Sequence, residues 1–184
     1  MIMRRAICTV GLVSIFLSPS YAQTPDPAMP ADYAAVLRTL GRQGDFKDNV
    51  LKVNIPRTDL KVTVDGVATP TPFGFGGWIA MTKGTDMDVL MGDLVLTESE
   101  VNPVMTALLD NGLDVTAVHN HFFRDAPRMF YMHVHGHGLP AELAKRVQPA
   151  LALIGKGPQP AAAAAGKELA GTLDTAKLAM TLGH

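Results

Sequence analysis

The chain has 184 residues, and its 16 basic and 17 acidic side chains leave a formal net charge of −1. No basic stripe runs along the sequence, which argues against a nucleic-acid partner. The only cysteine, Cys8, lies in the N-terminal segment. A chain processed behind that segment would therefore have no disulfide and no thiolate metal ligand.

The first 22 residues have the features of a secretory signal peptide. Arg4 and Arg5 form the charged start, Ala6–Leu17 is apolar, and small residues precede a cleavage position between Ala22 and Gln23. The apolar run is too short for a permanent membrane span. Without Arg4 and Arg5, 14 basic residues remain against 17 acidic ones, a net charge of −3. We therefore predict a bacterial periplasmic or secreted protein with a Sec-type signal.

The rest of the chain is long enough for one domain. Residues 23–30 are rich in proline and are predicted to be a disordered leader. Residues 31–154 are predicted to form an α+β domain, and residues 155–184 a linker and a terminal helix. Because residues 174–183 resemble residues 32–41, the tail is also interpreted as a possible truncated repeat.

Hydrophobic periodicity and turn signals predict the order of the elements. Thr97-Glu98-Ser99-Glu100 is a capping box, Pro140 suits the first turn of a helix, and Asp65-Gly66 is a hairpin turn. From Met87 onward the order is strand, helix, strand, strand, helix, which is most of a ferredoxin-like split unit. We predict an antiparallel sheet with helices packed on one face, preceded by an N-terminal hairpin. The predicted helices are 31–41, 97–111, 140–154 and 167–182, and the predicted strands are 50–55, 60–64, 73–81, 87–96, 113–123 and 128–135.

Five of the six histidines lie in a stretch of nineteen residues, 119–137, which covers parts of the last two predicted strands. Alternate residues of a strand share a face, and a turn near Ala126–Pro127 would place His121 opposite His133 and His119 opposite His135. Imidazoles in that arrangement can converge on one ion at about 2.0–2.1 Å from each nitrogen. A single H-x-H motif is weak evidence, but two such motifs across a short loop favour a metal site. The predicted ligands are His119, His121, His133, His135 and His137.

Without thiolates, imidazole ligands favour a transition metal ion such as zinc or copper. Four further residues are candidates for supporting the metal or contacting a substrate: Asp93, Glu98, Glu100 and Arg128. Asp93 would be unusual in a central strand without a partner. The two glutamates have a simpler explanation as charges at a helix N-terminus, and Arg128 as an exposed strand end. Arg57 and Asp59 could brace a loop as an ion pair or reach a ligand, and we predict the bracing role.

Methionine is also frequent. Removal of Met1 and Met3 from the ten methionines leaves eight, including Met81, Met87, Met91, Met129 and Met132. Thioethers favour copper(I), but methionine at strand positions more often fills the core. We predict packing as the role of most of them.

Four sequence blocks indicate a known family. Residues 40–154 contain P-R-T-D-L-K-V-T-V-D-G (56–66), M-G-D-L-V-L-T-E-S-E-V-N-P-V (91–104), A-V-H-N-H (117–121) and P-R-M-F-Y-M-H-V-H-G-H-G (127–138). This span resembles the LppY/LpqO-like family of bacterial secreted domains, also called domain of unknown function 1259. The resemblance implies an exported, metal-binding domain that often occurs in tandem, with His119, His121 and His133 matching the recurring pattern. It implies no particular activity.

Three functions follow as hypotheses. The first is a periplasmic domain that sequesters, delivers or senses a transition metal. The second is a metalloenzyme, such as a hydrolase, in which three histidines leave one metal position open for water. The third is an envelope interaction domain whose histidines respond to pH near their ordinary pKa of about 6.5. We favour the first, and the sequence leaves open whether the protein is an enzyme.

Overall fold

The computed structural model describes residues 28–156 and 174–183. The predicted signal peptide, most of the leader and most of the linker lie outside the described residues. Within those described ranges, no helix has the length and apolar character needed to cross a membrane.

The described chain has the predicted α+β fold. Its helices are α1 (Ala31–Leu40), α2 (Glu98–Asp110), α3 (Pro140–Leu153) and α4 (Thr175–Leu182). Its strands are β1 (Asp45–Lys47), β2 (Val50–Pro56), β3 (Val62–Val64), β4 (Val67–Thr69), β5 (Gly76–Lys83), β6 (Asp88–Thr97), β7 (Asp114–His119), β8 (Asp125–Ala126) and β9 (Met129–Gly138).

Two antiparallel sheets organise these strands. The larger sheet has six strands in the order β1-β2-β5-β6-β9-β7, and the smaller one has the order β4-β3-β8. The segment β6-β9-β7, with α2 between β6 and β7 and α3 following β9, is the predicted split unit. The hairpin turn at Asp65-Gly66 forms with positive φ angles of 50° and 78°. It joins β3 to β4 in the smaller sheet, whereas the hairpin at the edge of the larger sheet is β1–β2.

Three helices pack on one face of the larger sheet, as predicted. Strand alternation sends Met132 and Val134 of β9 toward the helices, and Tyr131, His133 and His135 toward the opposite face. A single apolar core joins α1, α2 and α3 to this sheet. It includes Tyr33, Val36, Leu51, Val53, Ile55, Ile79, Met81, Leu90, Leu94, Leu96, Val104, Leu108, Met132, Val134, Leu143, Val147 and Leu151. The histidines therefore lie on the face without helices.

The smaller sheet covers only one end of that second face. Its strand β3 contributes Val62 to a second apolar cluster that also contains the buried Val95, Met129 and Tyr131 of the larger sheet. Beyond this cluster, none of the described helices or strands covers the face. Here β6 and β9 carry Asp93 and the histidines side by side.

A buried charged group joins the end of β2 to α2. Arg57, only 1% exposed, pairs through Nη1 with Glu100 Oε2 at 2.7 Å and through Nη2 with Asp59 Oδ2 at 2.8 Å. The predicted bracing role of Arg57 and Asp59 is thereby confirmed. The capping box of α2 also forms, and Thr97 N–H donates to Glu100 Oε2 at 2.8 Å.

Candidate metal centre

The pairing of β7 with β9 differs from the prediction. His119 lies opposite Tyr131 and not His135, and His133 lies opposite Ala117 and not His121. The predicted turn is wrong because Asp125 and Ala126 form β8 and pair with β3. The connection between β7 and β9 is therefore longer than a tight turn and includes β8. The displacement is an even number of residues, so the histidines still share the open face.

Three of the five histidines form a first cluster. His119 Nε2 and His121 Nε2 are 3.1 Å apart. The ring of His133 lies 4.8 Å from that of His119, centre to centre, at an interplanar angle of 82°. In the absence of an ion, the 3.1 Å contact is a hydrogen bond when one ring carries its proton on Nε2 and the other does not. His119 on β7, His121 just beyond it and His133 on β9 are thus brought together on one face.

His121 lies beyond the end of β7. Its position depends on Asn120 and on Tyr131, and the sequence patterns did not single out Tyr131. Its ring stacks on Tyr131, with centres 3.5 Å apart and an interplanar angle of 13°. The Tyr131 hydroxyl donates to the Gly74 carbonyl at 2.7 Å. Asn120 Nδ2 donates to the Met129 carbonyl at 2.6 Å and ties the loop to β9. Strand alternation places Tyr131 on the face of His133, and this signal could have identified it.

Asp93 belongs to the first cluster. It lies directly opposite His133 in the β6–β9 ladder, and its Oδ1 is 3.9 Å from His133 Nε2. Asp93 Oδ1 is buried and has no hydrogen-bond partner within the described part of the chain. Burial lowers the pKa of His121 below its ordinary value; His119 and His133 add to this effect, and Asp93 opposes it. His121 is therefore neutral at pH 7, which is the form that coordinates metals.

The other two histidines form a separate pair further along β9. The rings of His135 and His137 are 4.5 Å apart and nearly perpendicular, at 85°. His135 Nδ1 is 4.0 Å from Asp114 Oδ2 on β7. Among the described residues, no ring contact joins this pair to His133. The five predicted ligands are thus divided between two places on one face.

The remaining candidates lie outside the histidine clusters. Glu98 is exposed at the start of α2. The Glu100 carboxylate binds Arg57 and accepts hydrogen bonds from the backbone N–H groups of Thr97 and Gly155. Arg128 Nη2 donates to Asn120 Oδ1 at 3.4 Å, so it supports the loop that carries His121.

The first cluster borders a cleft and is not a preformed cage. In residues 28–156 and 174–183, no three His, Cys, Asp or Glu side chains already converge as a metal site. His121 lines a cleft of about 390 Å³ together with Val64, Asp65, Phe122, Phe123 and Arg124. Two of these lining residues, Arg124 and Asp65, form an ion pair at 3.1 Å.

Comparison with known proteins gives one match. A family model described as Domain of Unknown Function (DUF1259) matches residues 34–153, a range that includes both histidine groups and Asp93. No curated protein and no solved structure matches the chain.

Proposed function

The chain belongs to the DUF1259 family that its motifs indicated, and we propose that it is an exported domain that binds one transition metal ion. The ligands in this proposal are His119, His121 and His133, with the Asp93 carboxylate beside them. The observation that carries the proposal is the 3.1 Å distance between His119 Nε2 and His121 Nε2. Export is proposed from the signal-like sequence of residues 1–22.

The separation of the two nitrogens supports shared coordination. Two nitrogens bound to one tetrahedral zinc at about 2.0–2.1 Å lie roughly 3.3 Å apart. The observed distance between His119 and His121 is 3.1 Å, so both could bind one ion after a small shift. His133 must rotate to complete the set, and its side chain is 46% exposed and has room to do so.

Asp93 supports the same position for the ion. A buried carboxylate oxygen without a hydrogen bond is unfavourable unless a cation or another donor lies close to it. Asp93 Oδ1 is in this situation, 3.9 Å from His133 Nε2. Three imidazoles and one carboxylate form a nitrogen–oxygen donor set suited to zinc or copper(II).

The test is elemental analysis of untagged mature protein, followed by titration with zinc, copper and nickel. We expect about one zinc or copper(II) ion per chain at the first cluster, and loss of that ion in His119→Ala/His121→Ala. His137→Ala is the matched control because His137 is an exposed strand histidine outside the first cluster. Circular dichroism should show that both variants remain folded.

Failure of the wild-type protein to take up any of these ions would overturn the proposal. The contact between His119 and His121 would then be an ordinary hydrogen bond on a surface that responds to pH. Retention of the ion in the double variant would place the metal elsewhere.

A metal-dependent hydrolase is the second candidate, and the cleft beside His121 favours it. A zinc-bound water with a pKa of about 7 would supply the nucleophile, and Asp93 is the nearby group able to accept its proton. Phe122 and Phe123 line this cleft, and their apolar rings would contact the organic part of an ester or amide. Zinc-loaded protein that hydrolyses activated esters, together with inactive His119→Ala/His121→Ala, would favour this function over storage or delivery.

A further inference from the structure

We propose a second cation site on the same face, formed by His135, His137 and Met91 and selective for soft monovalent ions, copper(I) or silver(I). This site does not depend on the first cluster and goes beyond the proposed function. It gives a role to the two histidines that the structure separates from the other three.

The strand pairing brings the three side chains together. Met91 of β6 lies directly opposite His135 of β9. Side chains in directly opposed positions are about 4.5–5.5 Å apart at Cβ. His137 follows two residues later on the same face, and its ring is 4.5 Å from that of His135.

The exposure of Met91 separates it from the methionines that fill the core. Met81, Met129 and Met132 are at most 2% exposed, as predicted for packing residues, whereas Met91 is 54% exposed. On the neighbouring strand β5, the small Ala80 lies opposite Met91. Met91 belongs to neither of the two apolar clusters defined by the described residues. Packing therefore does not explain a methionine in the middle of this strand.

The donors and nearby charges suit a soft monovalent ion. Two imidazoles and a thioether form the kind of set that selects copper(I). Asp114 Oδ2 lies 4.0 Å from His135 Nδ1, so a carboxylate adds negative charge beside the cation. Arg146 donates to the His137 carbonyl at 3.4 Å, but Glu142 lies 4.0 Å from the Arg146 guanidinium and offsets its charge.

The test uses silver(I), which matches copper(I) in softness and, unlike copper(I), is not oxidised by air. The mature chain, with isotope-labelled methionine methyl groups, is titrated with silver(I) and followed by NMR. We expect one methyl signal to shift and to saturate at about one equivalent, and Met91→Leu to remove that signal. We also expect Met91→Leu to weaken silver(I) binding by about tenfold or more, and zinc uptake to be unchanged.

Met87→Leu is the matched control, because Met87 is 53% exposed just before β6 and should leave silver(I) binding unchanged. His135→Ala/His137→Ala should abolish the methyl shift, and His119→Ala/His121→Ala should retain it. The proposal is overturned if the Met91 methyl does not shift, if Met91→Leu binds silver(I) as tightly as the wild type, or if only the His119→Ala/His121→Ala variant loses binding. A silver(I) response in a protein that takes up none of zinc, copper(II) and nickel would overturn the proposed function and leave this site standing.

Discussion

At the residue scale, Asp93 is the most informative side chain of the open face. It lies between Trp78 of β5 and His133 of β9, in the interior of the larger sheet. Its side chain is only 18% exposed, and Oδ1 has no hydrogen bond from the described residues. A buried carboxylate oxygen without a hydrogen bond lowers the stability of the fold, so folding alone does not explain this aspartate. We therefore interpret Asp93 as part of the proposed metal site.

The substitution Asp93→Asn tests this role while keeping the side chain's size. We expect zinc affinity to fall by about 10–100-fold, because a carboxylate beside the metal or its histidine ligand is lost. The stability of the metal-free protein should stay the same or increase, since a buried negative charge is removed. Competition with a zinc-binding dye measures the affinity, and thermal unfolding measures the stability.

Asp114→Asn is the corresponding control, since Asp114 is 77% exposed and lies near His135 instead of His133. Its zinc affinity should equal that of the wild type. Equal zinc affinity in Asp93→Asn would remove Asp93 from the site.

At the element scale, β6 approaches β5 and β9 closely because Gly92 has no side chain. A Cβ atom at Gly92 would lie 2.8 Å from the Trp78 carbonyl oxygen and 2.8 Å from Val134 Cγ1. The first of these atoms belongs to the backbone of β5 and cannot move without disturbing the ladder. The glycine therefore sets the spacing of the strands that carry Asp93 and His133.

Gly92→Ala should lower the free energy of unfolding by about 1–3 kcal/mol or more, because the added methyl group overpacks the sheet. Urea denaturation measures the effect. Gly76→Ala is the control, because a Cβ there meets no atom within 4 Å. Equal stability of the two variants would contradict the close approach seen at Gly92.

The element scale also shows which features are predictable from sequence. The capping box at Thr97–Glu100 and the common face of the histidines follow from local spacing, and both are present. The β7–β9 pairing is not local, since it depends on Asp125 pairing with Val64 of β3, far away in the sequence. Strand β1 was missed as well, although Asp48 and Asn49 tolerate the positive φ angles of 51° and 63° at its turn.

At the scale of the whole molecule, Arg57 connects parts that are distant in the chain. Its Nη1 donates to the Val95 carbonyl of β6 and to Glu100 of α2, both at 2.7 Å. The backbone N–H of Gly155, just after α3, also donates to Glu100 at 2.7 Å. Burial acts to lower the pKa of Arg57, but Asp59 and Glu100 more than compensate for it, so the pKa is raised. The guanidinium is therefore charged in the folded protein.

Glu100→Gln should lower the free energy of unfolding by about 3–5 kcal/mol, because it leaves the buried guanidinium without its full counter-charge. Glu98→Gln, two residues earlier and exposed, should change it by no more than about 0.5 kcal/mol. Denaturation with guanidinium chloride measures the free energy of unfolding of both variants. A loss below 1 kcal/mol in Glu100→Gln, on the order of an exposed ion pair, would show that the network is not a major source of stability.

The position of β7 at the margin of the larger sheet has a kinetic consequence. Among the strands of residues 28–156 and 174–183, β7 has only β9 as a neighbour. It supplies His119, and His121 follows two residues later. Strand margins fray more readily than sheet interiors, where Asp93 and His133 lie. An ion held across this boundary would escape by the detachment of one short segment, without unfolding of the domain. Binding of the ion would in turn slow amide hydrogen exchange along β7, while exchange in β6 would hardly change.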